Sequence, residues 1–265
     1  MHKAGGRCGG DGVDTQERRR RVLGIIRGSG AVEVARLAEQ FSVARETIRR
    51  DLRALERRGF VRRSRGGARP VESAGFETTL VERTTRNVPQ KKRIAQAAVR
   101  LLGDAETVFV DEGFTPLLIA GAFPRDRPLT VVTASLAVAH ALSDAERATV
   151  LLLGGRLRPG TLATVGPWTS RTLAGLVLDL CFVGANGISR EHGLTTPDPA
   201  VAEVKRHAVR GSRRQVLVGA HTKFGVTGFC RFAEVRDVEA IVTDTGLSPT
   251  EAHRYSLLGP QVIRV

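Results

Sequence analysis

Short apolar segments alternate with helical segments between Pro89 and the C-terminus, and this alternation restricts the fold more than any other feature. Each apolar run is continuous, which is typical of strands that are covered on both faces. Six strands are predicted, at Thr107–Asp111, Leu129–Thr133, Thr149–Leu153, Leu180–Ala185, Gln215–Gly219 and Ala240–Thr243. Because the connections are helical, the strands must run mostly parallel. Residues 89–265 are therefore expected to form a Rossmann-like α/β domain.

The N-terminal part of the chain has a different pattern, in which three short helical segments succeed one another. Helical periodicity starts at Glu17, recurs from Val34 to Phe41, and returns from Arg45 to Arg58. The connection Ser42-Val43-Ala44 has the usual length for the turn between the two helices of a helix-turn-helix. The short extended run Phe60–Arg65 follows the third helix, as a wing does.

These patterns divide the chain into four parts. Residues 15–69 are predicted to form a winged helix-turn-helix, preceded by a disordered Gly-rich tail over residues 1–14. Residues 70–88 lack periodicity and are interpreted as a linker to the α/β domain of residues 89–265. The expected fold class is α/β, with an N-terminal winged helix-turn-helix and a C-terminal effector domain built on a mostly parallel sheet.

The net charge of +14 is concentrated at the N-terminal end. Residues 1–70 contain 18 Lys and Arg against 8 Asp and Glu, whereas residues 71–265 contain 23 against 19. A coding bias toward arginine would act on the whole chain and does not explain this asymmetry. The distribution therefore predicts an N-terminal module that binds a polyanion.

The third helix places its basic side chains on one face. Ile48, Leu52 and Leu55 form its buried face, so the arginines lie outside. Arginine donates two hydrogen bonds to guanine in the major groove, or it neutralises phosphates. A solvated helix face is the alternative for any single arginine, but the coincidence with a wing favours DNA binding. The predicted DNA-binding residues are Ser42, Arg45, Glu46, Thr47, Arg49, Arg50, Arg53, Arg63 and Arg65.

Asp51 is the exceptional acid on this helix. The residues three and four positions away from it are Thr47, Ile48, Ala54 and Leu55, and none of them is basic. No intrahelical ion pair is available at those spacings. A cationic partner of Asp51 must therefore come from another element.

The segment from Val43 to Leu52 reads Val-Ala-Arg-Glu-Thr-Ile-Arg-Arg-Asp-Leu, and Leu55-Glu56, Gly59, Arg63 and Arg65–Ala68 follow it. This pattern resembles the signature of the DeoR family of bacterial transcriptional regulators. Ala44 stands where the family has a Ser that caps the helix, and Arg65 stands where it has His. Losing such a cap costs about 1 kcal/mol unless Ser42 replaces it. The resemblance implies a repressor whose C-terminal domain binds a phosphorylated sugar or a related metabolite and self-associates.

The first candidates for ligand binding lie in the turn after the first predicted strand. Asp111, Gly113 and Thr115 match the family segment Asp-Ser-Gly-Thr-Thr, which is thought to cradle phosphate. Such a turn presents backbone N–H groups to an anion. Three positions depart from the family segment: Glu112, Phe114 and Pro116. A carboxylate repels phosphate and proline lacks an N–H, so a different ligand, weak phosphate binding and an ordinary turn all remain open.

The resemblance extends to other positions, namely Thr133, Ser135, Gly154, Gly155, Gly184, Gly187, Glu203 and Lys223. It implies that Lys223 is the cationic partner of the ligand and that Glu203 and Lys205 lie in a helix beside the site. The family has an Asp three residues before this Lys, where the chain has Ala220. Tight-turn geometry is the alternative for the glycines, and a solvated surface position is the alternative for Glu203 and Lys223.

Several classes of site and location are disfavoured. Cys8, Cys181 and Cys230 form no Cys-x-x-Cys pair, and the six histidines have no ligand spacing, so neither a metal nor a cofactor is expected. The chain has no apolar run of about 18 residues and no apolar secretory segment after Met1. We expect no membrane partner and a cytoplasmic location.

Three functions are compatible with these observations. The first is a sequence-specific regulator of carbohydrate-metabolism genes that binds double-stranded operator DNA as a homo-oligomer and is released by a phosphorylated metabolite. The second is a non-specific or architectural DNA binder with a non-functional pocket. The third is a sugar-phosphate isomerase, because the C-terminal domain also resembles the ribose-5-phosphate isomerase superfold. Ala220 removes one carboxylate and fold likeness does not establish activity, so no enzyme activity is expected.

Overall fold

The computed structural model describes residues 11–29, 32–57, 61–64, 66–70 and 78–265. The chain divides into two compact units between Ser73 and Ala74. Each unit has its own buried core and is described by itself.

The first unit contains three helices and a small antiparallel sheet. Its elements are α1 (Asp11–Ser29), β1 (Val32–Glu33), α2 (Val34–Gln40), α3 (Arg45–Arg57), β2 (Val61–Ser64) and β3 (Gly67–Pro70). The sheet has the strand order β1-β3-β2, so the short strand β1 pairs with β3 of the wing. Side chains from all three helices and the sheet form one core, which includes Val22, Ile26, Leu37, Ile48, Leu52 and Val61. The predicted winged helix-turn-helix fold is confirmed.

The close approach of β1 to β3 requires a residue without a side chain. A Cβ atom built on Gly67 would lie 2.4 Å from the carbonyl oxygen of Val32, far inside van der Waals contact. Gly67, the first residue of β3, therefore allows this close approach.

Two boundaries in the first unit differ from the prediction. Helix α1 begins at Asp11, so the backbone of residues 11–14 is helical, whereas the sequence assigned these residues to a disordered tail. The rest of that tail, residues 1–10, lies outside the described residues. Helix α3 ends at Arg57, one residue before the predicted end at Arg58, which lies outside the described residues together with Gly59.

The second unit is an α/β domain with a seven-stranded parallel sheet. The sheet has the order β15-β14-β12-β9-β4-β5-β6. In chain order the elements are α4 (Leu80–Arg83), α5 (Val88–Val99), β4 (Thr107–Val110), α6 (Phe114–Gly121), β5 (Leu129–Thr133), α7 (Leu136–Ala141), β6 (Ala148–Leu152), β7 (Arg156–Arg158), β8 (Ala163–Val165), α8 (Pro167–Ala174), β9 (Leu178–Gly184), β10 (Gly187–Ser189), β11 (Gly193–Thr196), α9 (Pro199–Gly211), β12 (Ser212–Val218), β13 (Cys230–Ala233), β14 (Ala240–Thr243), α10 (Pro249–Ser256) and β15 (Gln261–Arg264). The predicted Rossmann-like class is confirmed.

The strand order reverses beside β4. The chain runs outward from β4 through β5 to β6, and then returns to place β9 on the other side of β4. In open parallel sheets, ligands bind in the crevice at the carboxyl ends of the strands at such a switch point. The two hydrophobic clusters on the faces of the sheet, one around Phe109 and Leu217 and one around Val110 and Phe182, hold these strand ends in place.

The sequence missed several strands of this unit. The seventh strand, β15, is short and lies at the sheet edge, where Gln261 and Arg264 interrupt the apolar pattern. The hairpin β7-β8 and the antiparallel sheet β10-β11-β13 were also missed, because their strands have three or four residues each.

The predicted linker over residues 70–88 contains regular structure. Pro70 is the last residue of β3, and residues 71–77 lie outside the described residues. Thr79 then caps α4 in a capping box with Glu82. Asn87, with a positive φ of 50°, precedes α5.

Candidate functional site

The exposed face of α3 carries the basic side chains that the sequence assigned to DNA. Ile48, Leu52 and Leu55 are buried against the other helices. The arginines on the opposite face are exposed, namely Arg45, Arg49, Arg50 and Arg53. Thr47 lies at the boundary between the two faces. A helix with one basic, exposed face is the element that enters the major groove in helix-turn-helix proteins.

Glu46 connects two of these arginines. Its carboxylate accepts hydrogen bonds from Arg49 Nη1 at 3.3 Å and from Arg53 Nη2 at 3.0 Å. The hydrogen bond from Arg49, opposed by slight burial and reinforced by the charge of Arg53, lowers the pKa of Glu46 below its usual value. Within the described part of the chain, Arg45 and Arg50 have no carboxylate at ion-pair distance.

Asp51 anchors α3 to α1. Its carboxylate is 1% exposed and accepts hydrogen bonds from Arg18 Nε and Arg19 Nε, each at 2.7 Å. This is the partner from another element that the sequence required but did not identify. Arg18 and Arg19 were missed because they lie more than thirty positions before Asp51 and look like part of a general basic run.

The wing and the turn place the remaining predicted DNA-binding residues. Arg63 on β2 forms an ion pair with Glu56 of α3, and its backbone N–H donates to the same carboxylate at 3.0 Å. Ser42 lies in the turn between α2 and α3 with a positive φ of 51°. Arg65 lies outside the described residues, so the structure places eight of the nine predicted positions.

A buried ion pair occupies the switch point of the second unit. Asp111 follows β4, and its carboxylate accepts a hydrogen bond from the N–H of Gly184, at the end of β9, at 2.9 Å. Lys205 of α9 forms an ion pair with the same carboxylate and donates to the Gly184 carbonyl at 3.1 Å. Asp111 and Lys205 are each 2% exposed. The structure therefore brings together Asp111 and Gly184, two of the candidate ligand-binding residues, and Lys205 from the helix that the resemblance places beside the site.

Glu203 does not join this cluster, which corrects the prediction. It lies two residues before Lys205 on α9 and therefore points to a different side of the helix. Its carboxylate contacts Arg206 and His207. The family resemblance located the correct helix, but the inward residue on this helix is Lys205.

A strap, defined as residues 78–91, lies across the carboxyl ends of the strands. The N–H of Leu80 donates to the carbonyl of Gly160 at 2.7 Å, on one side of the strap. Asn87 Nδ2 donates to Thr222 Oγ1 at 3.4 Å, on the other side. The strap thus covers the switch point with a segment that the sequence interpreted as a linker.

Glu112 is paired with a cation from the strap. Its carboxylate is 2.9 Å from Arg83 Nη1, and the side chains are 5% and 16% exposed, respectively. Arg83 Nε also donates to Thr78 Oγ1 at 3.3 Å, and Lys91 Nζ donates to the Arg83 carbonyl at 2.7 Å. The sequence predicted an unbalanced carboxylate at the phosphate cradle, and the structure shows that Arg83 balances it.

The turn after Asp111 leads directly into α6. Gly113 is the N-cap of α6, with a positive φ of 120°, and Phe114, Thr115 and Pro116 form the first turn of the helix. The missing N–H of Pro116 would have had no intrahelical acceptor in any case. Lys91 Nζ lies 5.6 Å from the centre of the Phe114 ring. The amino end of α6 is therefore close to two cations of the strap.

Two of the predicted ligand-binding residues, Thr133 and Ser135, use their hydroxyl groups in hydrogen bonds within the protein. Thr133 Oγ1 donates to the carbonyl of Val110 at 2.7 Å and accepts from the N–H of Ser135 at 3.0 Å. Ser135 in turn caps α7 by accepting from the N–H of Val138. Both residues are at most 1% exposed, and they hold the ends of β4 and β5 together.

Of the remaining predicted glycines, Gly155 and Gly187 lie where chain segments approach closely, whereas a Cβ built on Gly154 would meet nothing within 4 Å. A Cβ built on Gly155 would lie 2.8 Å from the Val165 carbonyl oxygen, and one built on Gly187 would lie 2.4 Å from that of Val226. Thr169 Oγ1 donates to the Gly154 carbonyl at 2.7 Å. The close contacts favour the turn-geometry alternative for Gly155 and Gly187.

Lys223 lies in a short 3₁₀ helix, His221–Lys223, after β12. His221 Nδ1 is 2.6 Å from Asp244 Oδ1, and Asp244 follows β14. Although burial opposes the effect, hydrogen bonds from the N–H groups of His221 and Gly246 lower the pKa of Asp244 below its usual value. This pair fixes the turn that carries Lys223 at the carboxyl edge of the sheet, and it could not be predicted because His221 and Asp244 are 23 residues apart.

The described residues contain neither a metal-binding cluster nor a membrane-spanning helix. No group of three or more His, Cys, Asp or Glu side chains could hold a metal ion in that part of the chain. No helix among the same residues is long and apolar enough to cross a membrane. Burial raises the pKa of Cys181 to about 12, as expected for a core residue.

Comparison with known proteins matches both units to sequence families. Residues 18–74 match the DeoR-like helix-turn-helix domain, and residues 86–245 match the DeoR C terminal sensor domain. The chain is 35% identical over 247 residues to the HTH-type transcriptional regulator GlpR of Haloferax volcanii, covering 93% of this chain and 96% of that protein. It is 31% identical over 228 residues to the glycerol-3-phosphate regulon repressor of Escherichia coli, covering 86% and 90% of the two chains.

Proposed function

Because the chain belongs to the DeoR family of transcriptional regulators, we propose that it represses carbohydrate-metabolism genes and is released from its operator by a phosphorylated metabolite. The observation that carries the DNA-binding part is the exposed basic face of α3, held in place by the buried Asp51.

The DNA-binding proposal assigns different tasks to the arginines of α3. Arg45 and Arg50 are the candidates for direct contacts with guanine or phosphate, since neither is paired with a carboxylate among the described residues. Arg49 and Arg53 share Glu46, which restricts their side chains and reduces the local positive charge. Arg63 connects the wing to α3 through Glu56. We propose that Ser42, Thr47 and Arg65 contact the flanking backbone.

The effector proposal places the ligand at the switch point. Four cations are anchored near the carboxyl ends of the strands of the second unit: Arg83 and Lys91 from the strap, Lys205 from α9, and Lys223 from the turn after β12. Gly113 and Thr115 supply backbone N–H groups at the amino end of α6. Cations together with a helix amino end favour a phosphate group. Glu112 remains as an acceptor for the hydroxyl groups of the ligand, and Asp111 holds Lys205 and the Gly184 N–H in position beside it.

The response to the effector requires a homo-oligomer. Two winged units bind two half-sites about one helical turn, or a multiple of it, apart. The effector releases DNA only if it binds more tightly to a geometry of the oligomer that does not fit the operator. We place this activity in the cytoplasm.

The alternative of an architectural DNA binder remains as an outcome of the test, and an isomerase activity is not expected. The carboxylate of Asp111 is engaged by Lys205 and by the Gly184 N–H. It is therefore poorly suited to act as a general base, which must reach a substrate proton. Incubation of the full chain with ribose 5-phosphate is expected to give no ribulose 5-phosphate, and turnover above a buffer control would contradict this assignment.

Fluorescence anisotropy with DNA from upstream of the gene's own operon tests the proposed function. Scrambled DNA of the same length and composition is the control, and a panel of sugar phosphates and glycerol 3-phosphate is added to the preformed complex. We expect preferential binding to the upstream DNA and release by one phosphorylated compound. Equal affinity for both DNAs would favour the architectural alternative, and specific binding that no compound perturbs would contradict the effector proposal.

A further inference from the structure

The pair formed by Arg83 and Glu112 adds a regulatory element to the proposed effector site. We propose that Arg83 is a ligand-binding residue, that Glu112 occupies it while the site is empty, and that an incoming phosphate displaces the carboxylate from the guanidinium. This inference rests on the proposed function, because it requires an anion to bind at the switch point.

Arg83 already lies where the anion would bind. Its Nη1 atom is 2.9 Å from Glu112 Oε2. The same Nη1 atom is 3.3 Å from the position that a Cβ on Gly113 would occupy, so the guanidinium lies beside the N-cap of α6. The first N–H groups of a helix have no intrahelical acceptors. The guanidinium and the helix end therefore point to a common anion position.

Glu112 is an internal competitor for this position. It is 6% exposed and directly precedes the N-cap Gly113, so its carboxylate lies within the region that a phosphate would enter. Two anions cannot share one guanidinium without mutual repulsion in a partly buried site. Binding of a phosphate must therefore break the contact between Arg83 and Glu112 or weaken it substantially.

The strap allows this exchange to occur through side chains alone. Lys91 Nζ holds the carbonyl of Arg83, and the N–H of Leu80 is bonded to Gly160. The capping box of Thr79 and Glu82 fixes the start of α4. The backbone on which Arg83 stands is thus anchored at several points, while rotation about its side-chain bonds can redirect the guanidinium from Glu112 to a ligand.

The exchange selects the class of ligand. A ligand that competes with an internal carboxylate for arginine must offer more charge or better geometry than a carboxylate. A phosphate monoester meets this requirement, because it carries nearly two negative charges and three acceptor oxygens near neutral pH. A sugar acid with a single carboxylate does not. The pair therefore disfavours sugar acids and selects phosphate esters.

Phosphate titration of the full chain tests the exchange. Binding of inorganic phosphate is measured by calorimetry at constant ionic strength and pH 7.5 for the wild type, Glu112→Gln and the double variant Arg83→Gln with Glu112→Gln. Glu106→Gln is the matched control, because it makes the same charge change at an exposed position directly before β4, whereas Glu112 follows this strand. The double variant removes both charges of the pair, so that neither charge is left buried without its partner and the protein is expected to fold.

The expected order of affinities is specific. Glu112→Gln should bind phosphate about tenfold more tightly than the wild type, and the double variant should lose at least that gain, with each factor of ten equal to about 1.4 kcal/mol. Glu106→Gln should match the wild type. Phosphate binding by the wild type with an unchanged affinity in Glu112→Gln, or equal affinities in Glu112→Gln and the double variant, would overturn the exchange and leave the effector site standing. Absence of binding in every protein would overturn both.

Discussion

Replacement of Asp51 by asparagine tests whether a buried carboxylate holds the basic helix in place. Asn has nearly the same shape, but it offers one neutral acceptor in place of a carboxylate that accepts two hydrogen bonds from arginine at 2.7 Å. Breaking a fully buried ion pair costs about 3–5 kcal/mol. The side chains of Arg18 and Arg19 are 14% and 29% exposed, so water compensates part of their lost interaction. We expect a loss of about 2–3 kcal/mol, near the lower end of the cited cost for breaking a buried pair.

Thermal unfolding of the full chain, followed by circular dichroism, measures this loss. For a unit of this size the expected loss lowers the midpoint by roughly 10–20 °C. Far-ultraviolet ellipticity reports the helices of both units, whereas Tyr255, buried in the second unit and bonded to the Ile188 carbonyl at 3.0 Å, gives a near-ultraviolet signal for that unit alone. The midpoint of the far-ultraviolet transition that belongs to the first unit should fall, and the midpoint reported by Tyr255 should not change.

The control for this prediction is Glu46→Gln. Glu46 also bonds two arginines of α3, but its side chain is 53% exposed, and exposed ion pairs contribute at most about 1 kcal/mol. A midpoint for Asp51→Asn within a few degrees of the Glu46→Gln midpoint would refute the reasoning. A parallel shift of the Tyr255 signal would also refute it, because the effect would then not be confined to the first unit.

Three further predictions concern the packing of both units. The pKa of Asp244 is lower in the folded state than in the unfolded state, so its ionised carboxylate stabilises the folded state at pH values above the unfolded-state pKa. This stabilisation is lost as the pH falls through the folded-state pKa. Acid unfolding of Asp244→Asn should therefore depend less on pH below about 4 than that of the wild type. Cys181, with its pKa near 12, should stay unmodified by iodoacetamide at pH 8 while Cys230 reacts, as peptide mass spectrometry of the native chain will show, and equal modification would contradict its burial. Gly67→Ala should lower the thermal midpoint of the first unit because its Cβ would meet the Val32 carbonyl, whereas Gly24→Ala, with open space around it, should not; equal midpoints would contradict the close approach.

Hydrophobic periodicity was sufficient to predict the fold because it reports burial directly. The apolar runs at Leu129–Thr133 and Ala240–Thr243 match β5 and β14 to the residue. The pattern fails where a strand is short or lies at an edge, as for β15, since few buried positions are then available to reveal it. It also fails at the start of α6, where Pro116 looks like a helix breaker but occupies a position that tolerates proline.

The candidate sites were predictable only in part, because their electrostatic partners are distant in sequence. Spacing along α3 showed that Asp51 has no local partner, but only the packing of α1 identifies Arg18. Glu112 looked like an obstacle to an anion until the fold brought Arg83 beside it. The family resemblance indicated the helix α9, and the rotation of that helix determines that Lys205 and not Glu203 faces Asp111.

The most direct test of the central claim compares operator preference in the wild type and in Arg45→Ala with Arg50→Ala, the two arginines proposed to contact DNA directly. Anisotropy titrations on upstream and scrambled DNA are repeated at several salt concentrations, and circular dichroism verifies that the variant is folded. We expect the variant to lose its preference for the upstream DNA. Each lost base contact should reduce the free energy of specific binding by about 1–3 kcal/mol, the amount that one mismatched base pair costs. Uniform weakening on both DNAs, with a shallower dependence on salt and an unchanged ratio of affinities, would show that these arginines contact only phosphates and would contradict sequence recognition by α3.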